Sequence, residues 1–190
     1  MEINLYNTVF LSLGSNQGER LLNLEKALTK ITEKAGEIYL KSPIYENPPL
    51  GFDDKMNFYN LCIGIKTKFA PEDLLFILQQ IELEIGRNKK TIDKEYSSRI
   101  IDIDIIFFND IVFNSLLLTI PHLLFRERNF VLKPLRDIAS MTIDPITGFT
   151  VDYLYSKSLD KSLLLLLWEQ KKRTNIFFSF NLVVFYNFNV

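Results

Sequence analysis

Ten residues constrain the fold more than any others: Arg99-Ile100-Ile101-Asp102-Ile103-Asp104-Ile105-Ile106-Phe107-Phe108. β-branched and aromatic residues dominate them, which is strand composition. Side chains alternate faces along a strand, so residues two apart share a face. Asp102 and Asp104 therefore point one way, and Ile103 and Ile105 point the other. Two neighbouring carboxylates repel unless a cation lies between them. Two readings stay open on the strand alone. One is an edge strand with a solvated face, where Asp discourages edge-to-edge pairing. The other is a cation site, since Mg²⁺ takes one or two carboxylates together with substrate phosphates. In that case Arg99 just upstream could hold a phosphate oxygen in its planar fork.

The segments around the strand bear on that choice. From Arg87 to Arg99 there are five basic and two acidic residues, net +3, in a chain whose formal charge is −1. Lys89 and the aromatic Tyr96 lie in this run. A cationic loop beside a carboxylate pair suits a metal-bound polyphosphate; a solvated charged loop is the plain alternative. Downstream, the only histidine, His122, shares a short stretch with Arg126 and Arg128. Upstream, Thr8–Leu13 reads as a strand, Gly14–Gly18 as a break, and Leu21, Leu24, Leu28, Ile31 and Ala35 as the stripe of an amphipathic helix. That break is either a weak anion cradle at a helix N-terminus or a tight turn. Glu37–Leu40 is extended, and Ser42–Gly51, with three prolines, reads as a stiff connection. In Asn57–Ile65, alternation puts Phe58, Asn60, Cys62 and Gly64 on one face and an apolar set on the other. A ring and an amide on one face could read a flat heteroaromatic ligand, or could simply be half exposed. Ala70-Pro71-Glu72-Asp73 carries helix-start signals, with Leu74, Leu78, Ile81 and Ile85 as the stripe.

Composition excludes several classes. A net charge of −1 lacks the basic surplus of a nucleic-acid binder. The single cysteine, Cys62, leaves no internal disulfide. No run reaches the ~18 apolar residues of a membrane helix, and Met1–Leu5 does not resemble a signal peptide, so a soluble cytoplasmic protein is expected. Residues 1–155 read as one domain. Residues 156–190 read as an atypical C-terminal extension, a linker or low-complexity tail, uncharged from Thr174 to Val190.

Several stretches recur together in one known family. They are Leu13-Gly14-Ser15-Asn16, Asn47-Pro48-Pro49-Leu50-Gly51, Tyr59-Asn60, Ile81-Glu82-Leu83 with Gly86-Arg87, Arg99-x-x-Asp102-x-Asp104, and Pro121-His122 with Arg128 and Phe130. In this order, from about Thr8 to about Tyr155, the chain resembles the 6-hydroxymethyl-7,8-dihydropterin pyrophosphokinases of folate biosynthesis. The resemblance implies an α+β fold, a ferredoxin-like α/β/α sandwich with a mainly antiparallel central sheet. It implies transfer of pyrophosphate from ATP to the pterin, with AMP as leaving group. It implies two Mg²⁺ ions on Asp102 and Asp104, and Arg87 and Arg99 as catalytic-loop arginines. Gln79, Glu82, Lys89, Tyr96, Ile105, Thr119, His122 and Arg128 would border the nucleotide. Phe58 and Phe130 would sandwich the pterin, Asn60 would read its edge, and Asn47, Pro48 and Leu50 would border it. The chain departs from the family pattern at three places. Tyr96-Ser97-Ser98 stands where Trp-Gly-Pro is usual, Leu123 where Tyr or Phe is usual, and Leu117 where a basic residue is common. Two other readings accompany this one: a degenerate, non-catalytic pterin- or nucleotide-binding module, and the N-terminal part of a bifunctional folate enzyme.

Overall fold

A computed structural model describes residues 6–50, 56–87 and 98–168 of the chain. In chain order they form β1 (Asn7–Ser15), α1 (Arg20–Lys34), β2 (Glu37–Lys41), β3 (Ile44–Asn47), β4 (Phe58–Thr67), α2 (Pro71–Ile85), β5 (Asp102–Phe108), the short strands β6 (Phe113–Asn114) and β7 (Thr119–Ile120), α3 (Asn129–Ala139), α4 (Val151–Lys157) and β8 (Leu165–Trp168). The main sheet runs β5-β1-β4-β3-β8, with β2 also paired to β4. Every pairing in it is antiparallel. β2 and β3 follow one another along the same edge of β4. Taken as one interrupted strand, they complete a βαββαβ unit with β1 and β5 adjacent, the ferredoxin-like arrangement.

The alternating strands bury both faces of the sheet. Val9, Leu11 and Leu13 of β1, Leu61, Ile63 and Ile65 of β4, and Ile103 and Ile105 of β5 pack with α1 and α2. The opposite faces of these strands contribute Phe10, Cys62, Ile106 and Phe107 to a second core under α3 and α4. At about 0.8 kcal/mol per buried CH₂, each fully buried Leu or Ile is worth roughly 2–3 kcal/mol. α2 begins as its sequence signals say, with Pro71 at its first position, and ends on Gly86 at φ +118°. That left-handed backbone favours glycine.

Two elements differ from expectation. The stiff connection of Ser42–Gly51 contains a strand, β3. Pro43 precedes it and Pro48 follows it, so neither missing N–H interrupts the ladder. β1 does not stop at Leu13 but continues through Gly14, paired on both sides, to Ser15, paired with Tyr59 of β4. The apolar run at 165–168 beyond residue 155 joins the sheet beside β3. No helix among the described residues is long and apolar enough to cross a membrane.

Candidate active site

Register brings the chemistry together at one end of the sheet. Gly14 of β1 lies between Asn60 of β4 and Asp102 of β5, and Ser12 lies between Cys62 and Asp104. These residues share the face toward α3. α3 starts only at Asn129, and the end of this face is an open cleft, with about 610 Å³ of atom-free space when the solvent at its mouth is included. Its floor is Ser12 and Gly14, with small side chains that let a flat molecule lie against the sheet. Phe58 and Phe130 supply rings, Asn47, Asn60 and Leu50 one wall, and Arg99, Asp102, Asp104 and Arg128 the charged end.

The amide wall is built in advance. Asn60 donates from Nδ2 to Asn47 Oδ1 at 2.5 Å, and Asn47 Nδ2 donates to the Pro48 carbonyl at 2.8 Å. Both asparagines are 3 % exposed. Fixed amides meet a ligand's polar edge with little ordering cost. Pro48 itself is exposed, so its part in the wall is its carbonyl.

At the charged end, Arg87 Nη1 reaches Asp102 Oδ1 at 2.7 Å and Glu82 Oε1 at 2.5 Å. Arg99 pairs with the other Asp102 oxygen. Glu82 is buried beneath β5, and its Oε1 accepts from the Ile103 amide at 2.7 Å. Burial pushes the Glu82 carboxyl up to about 7, with Arg87 opposing. Despite burial, Asp102 and Glu82 hold Arg87 charged. Glu82 thus braces Arg87 and the aspartate strand from behind. Asp104 makes no side-chain hydrogen bond or ion pair among the described residues. Burial first, and then the neighbouring Asp102 carboxylate, raise its carboxyl above the ordinary range. A carboxylate pair so placed suits a divalent cation. No cluster of three or more His, Cys, Asp or Glu that could hold a metal occurs among the described residues. Two carboxylates are a donor set that fits Mg²⁺, whose remaining ligands can be phosphates and water.

The other expected residues separate clearly. His122 is held by its amide to the Ile106 carbonyl at 3.1 Å, and its Nδ1 accepts from the Leu124 amide at 3.3 Å. Burial, then Arg128, lowers its pKa to about 4, so near neutrality the ring is uncharged with its proton on Nε2. Thr119 is exposed and bonds Asn114 Oδ1 at 3.1 Å. Gln79 is half-buried on α2. Ile105 is 3 % exposed within the core under α1 and α2. Its side chain thus faces away from the cleft, because it alternates with Asp104, and only its backbone could border a ligand. Lys89 and Tyr96 lie outside the described residues.

Three residues at or beside the cleft are not legible in single strands. Ser12 and Gly14 are visible only through register. Asn16, fully buried, donates its amide N–H to the Arg99 carbonyl at 3.0 Å, and its Oδ1 accepts from the Arg99 amide at 2.6 Å. Of the expected Gly14–Gly18 break, Gly14 and Ser15 belong to β1, Asn16 clamps the arginine backbone, and α1 begins only at Arg20. Its signal was present in Leu13-Gly14-Ser15-Asn16.

Residues 10–140 match the family model of 7,8-dihydro-6-hydroxymethylpterin-pyrophosphokinase (HPPK). The chain is 41 % identical over 172 residues to the folic acid synthesis protein fol1 of Pneumocystis carinii, covering 90 % of this chain and 23 % of that much longer protein. It is 37 % identical over 139 residues to the 2-amino-4-hydroxy-6-hydroxymethyldihydropteridine pyrophosphokinase of Aquifex aeolicus, covering 73 % of this chain and 84 % of that one. A crystal structure of wild-type Plasmodium falciparum HPPK-DHPS superposes with a TM-score of 0.66 at 20 % identity, covering 83 % of this chain and 46 % of that one, and supports the fold. The chain belongs to the 7,8-dihydro-6-hydroxymethylpterin-pyrophosphokinase family.

Proposed function

We propose that the chain transfers pyrophosphate from ATP to the hydroxymethyl group of 6-hydroxymethyl-7,8-dihydropterin and releases AMP. The observation that carries this reading is the single cleft in which a ring-and-amide slot abuts a carboxylate pair flanked by arginines. The pterin lies between Phe58 and Phe130, with its polar edge on Asn60 and Asn47. Its hydroxymethyl oxygen then faces the charged end. That oxygen attacks the β-phosphorus, the bond from β-phosphorus to the α,β-bridging oxygen breaks, AMP leaves with the electron pair, and the hydroxyl proton is lost. Asp102 and Asp104 would hold two Mg²⁺ ions, which when bound neutralise phosphate charge and acidify the hydroxyl. Arg87 and Arg99 turn from Asp102 to the phosphates as the nucleotide enters, and their closure excludes water that would hydrolyse ATP. Arg128 and the uncharged His122 add donors on the phosphate side. The cytoplasmic setting belongs to this proposal.

AMP release should depend on the pterin in the wild-type protein and vanish in Asp102→Ala and Asp104→Ala, with the far-ultraviolet circular dichroism unchanged. Near-normal turnover by either variant would overturn the assignment. The extent of the match to the longer fungal protein also favours a bifunctional parent, in which this chain is the pyrophosphokinase part. An open reading frame that stops after Val190 without a second enzyme domain would refute that.

A further inference from the structure

α3 lacks a cap of its own. Its N-cap residue is Arg128, whose guanidinium carries only donors and cannot accept from the first-turn amides. The position is instead occupied by a cation that lines the cleft, and the next residue but one, Phe130, is the cleft's ring. The missing acceptor comes from 31 residues further along. Asp160 Oδ2 accepts from the Asn129 amide at 2.7 Å, and the Asp160 carbonyl accepts from Asn129 Nδ2. Asp160 is itself fixed, because its Oδ1 accepts from the Ser162 amide at 2.8 Å. This orientation of Asn129 leaves its buried Oδ1 with no partner among the described residues. A few residues on, the same segment becomes β8 and pairs with Ile44, Tyr45 and Glu46 of β3, immediately before Asn47 of the amide wall. One strap beyond the matched residues 10–140 thus holds both sides of the cleft.

We propose that Asp160 is a positioning residue for the reaction: capping α3 from the strap, it fixes Arg128 and Phe130 where they meet the ligand. It touches neither substrate. A carboxylate at a helix N-terminus satisfies an orphan donor and complements the helix dipole. In this place it also sets the angle at which the first turn presents its side chains to the cleft. The inference rests on the pterin reading of the site.

The test compares the full chain with Asp160→Ala and Asp160→Asn. Hydrogen exchange at the amides of residues 129–131 reports the cap without any ligand. Titration with 6-hydroxymethyl-7,8-dihydropterin reports the affinity of folded molecules alone. Asp160→Ala should speed exchange in that turn and raise the pterin Kd about fivefold, the worth of one lost cap. Asp160→Asn, which keeps one acceptor for the Asn129 amide, should return Kd to within twofold of wild type. Unchanged exchange, or faster exchange with an unchanged Kd, overturns the inference. A wild-type chain that binds no pterin overturns the proposed function, and this inference with it.

Discussion

Gly14→Ala isolates the slot in a single methyl group. The backbone at Gly14 is ordinary strand, so alanine is not strained there. A Cβ would lie 2.6 Å from Asn60 Oδ1 and 3.6 Å from Phe58 Cδ1. The second distance is normal contact; the first is not. The sheet backbone need not move, but the Asn60 amide must turn and release Asn47. Losing that hydrogen bond costs about 0.5–1.5 kcal/mol net, and about 1–3 if Asn47 Oδ1 stays buried without a donor. Stability should therefore fall by about 1–2 kcal/mol, measured by denaturant unfolding. Pterin binding should fall further. If Asn60 makes two hydrogen bonds to the pterin edge, their loss is worth about 2 kcal/mol, or about 30-fold in Kd by calorimetry. In an Asn60→Ala background the methyl keeps only its ordinary contact with Phe58, so Gly14→Ala should add less than about 0.5 kcal/mol. A folded Gly14→Ala protein whose pterin Kd lies within threefold of wild type would refute this account of the slot.

Other consequences follow from the same geometry. Phe130→Ala should raise the pterin Kd by roughly tenfold while changing the affinity for an ATP analogue little, since ring stacking with its buried area is worth about 1–2 kcal/mol; equal losses for both ligands would refute the stacking role. Chelation of Mg²⁺ should abolish turnover yet leave the unfolding midpoint in place, because Arg87 and Arg99 already neutralise Asp102; a midpoint that falls on chelation contradicts this. Burial pushes the Cys62 thiol far up, and its Sγ lies 3.6 Å from the Val131 carbonyl oxygen. A thiol reagent should therefore react only at the rate of unfolding; rapid labelling of the native protein would show that the second core is open.

Much of this was legible from local pattern. Alternation put Asp102 and Asp104 on one face and Phe58 and Asn60 on another, because period-two geometry is a property of the strand alone. Which strand lies beside which is a tertiary fact. For that reason Ser12 carries no signal of its own within an apolar strand, and Gly14 falls locally in a break, although both lie on β1 between β4 and β5. β3 was hidden by its flanking prolines, which signal a connection locally yet sit just outside the ladder. Asp160 has no local signature, since its partner is 31 residues away and its importance comes from Arg128 being unable to cap its own helix. Ile105 shows the opposite limit. The resemblance placed it near a nucleotide, and alternation alone already turned its side chain toward the core.

The central claim is that this cleft moves a pyrophosphoryl unit, not a single phosphoryl group. With ATP labelled at the γ-phosphate, wild-type protein, Mg²⁺ and 6-hydroxymethyl-7,8-dihydropterin, the label should appear in the pterin product with one AMP formed per labelled pterin. ADP as the nucleotide product, or AMP formed at the same rate without pterin, would contradict it.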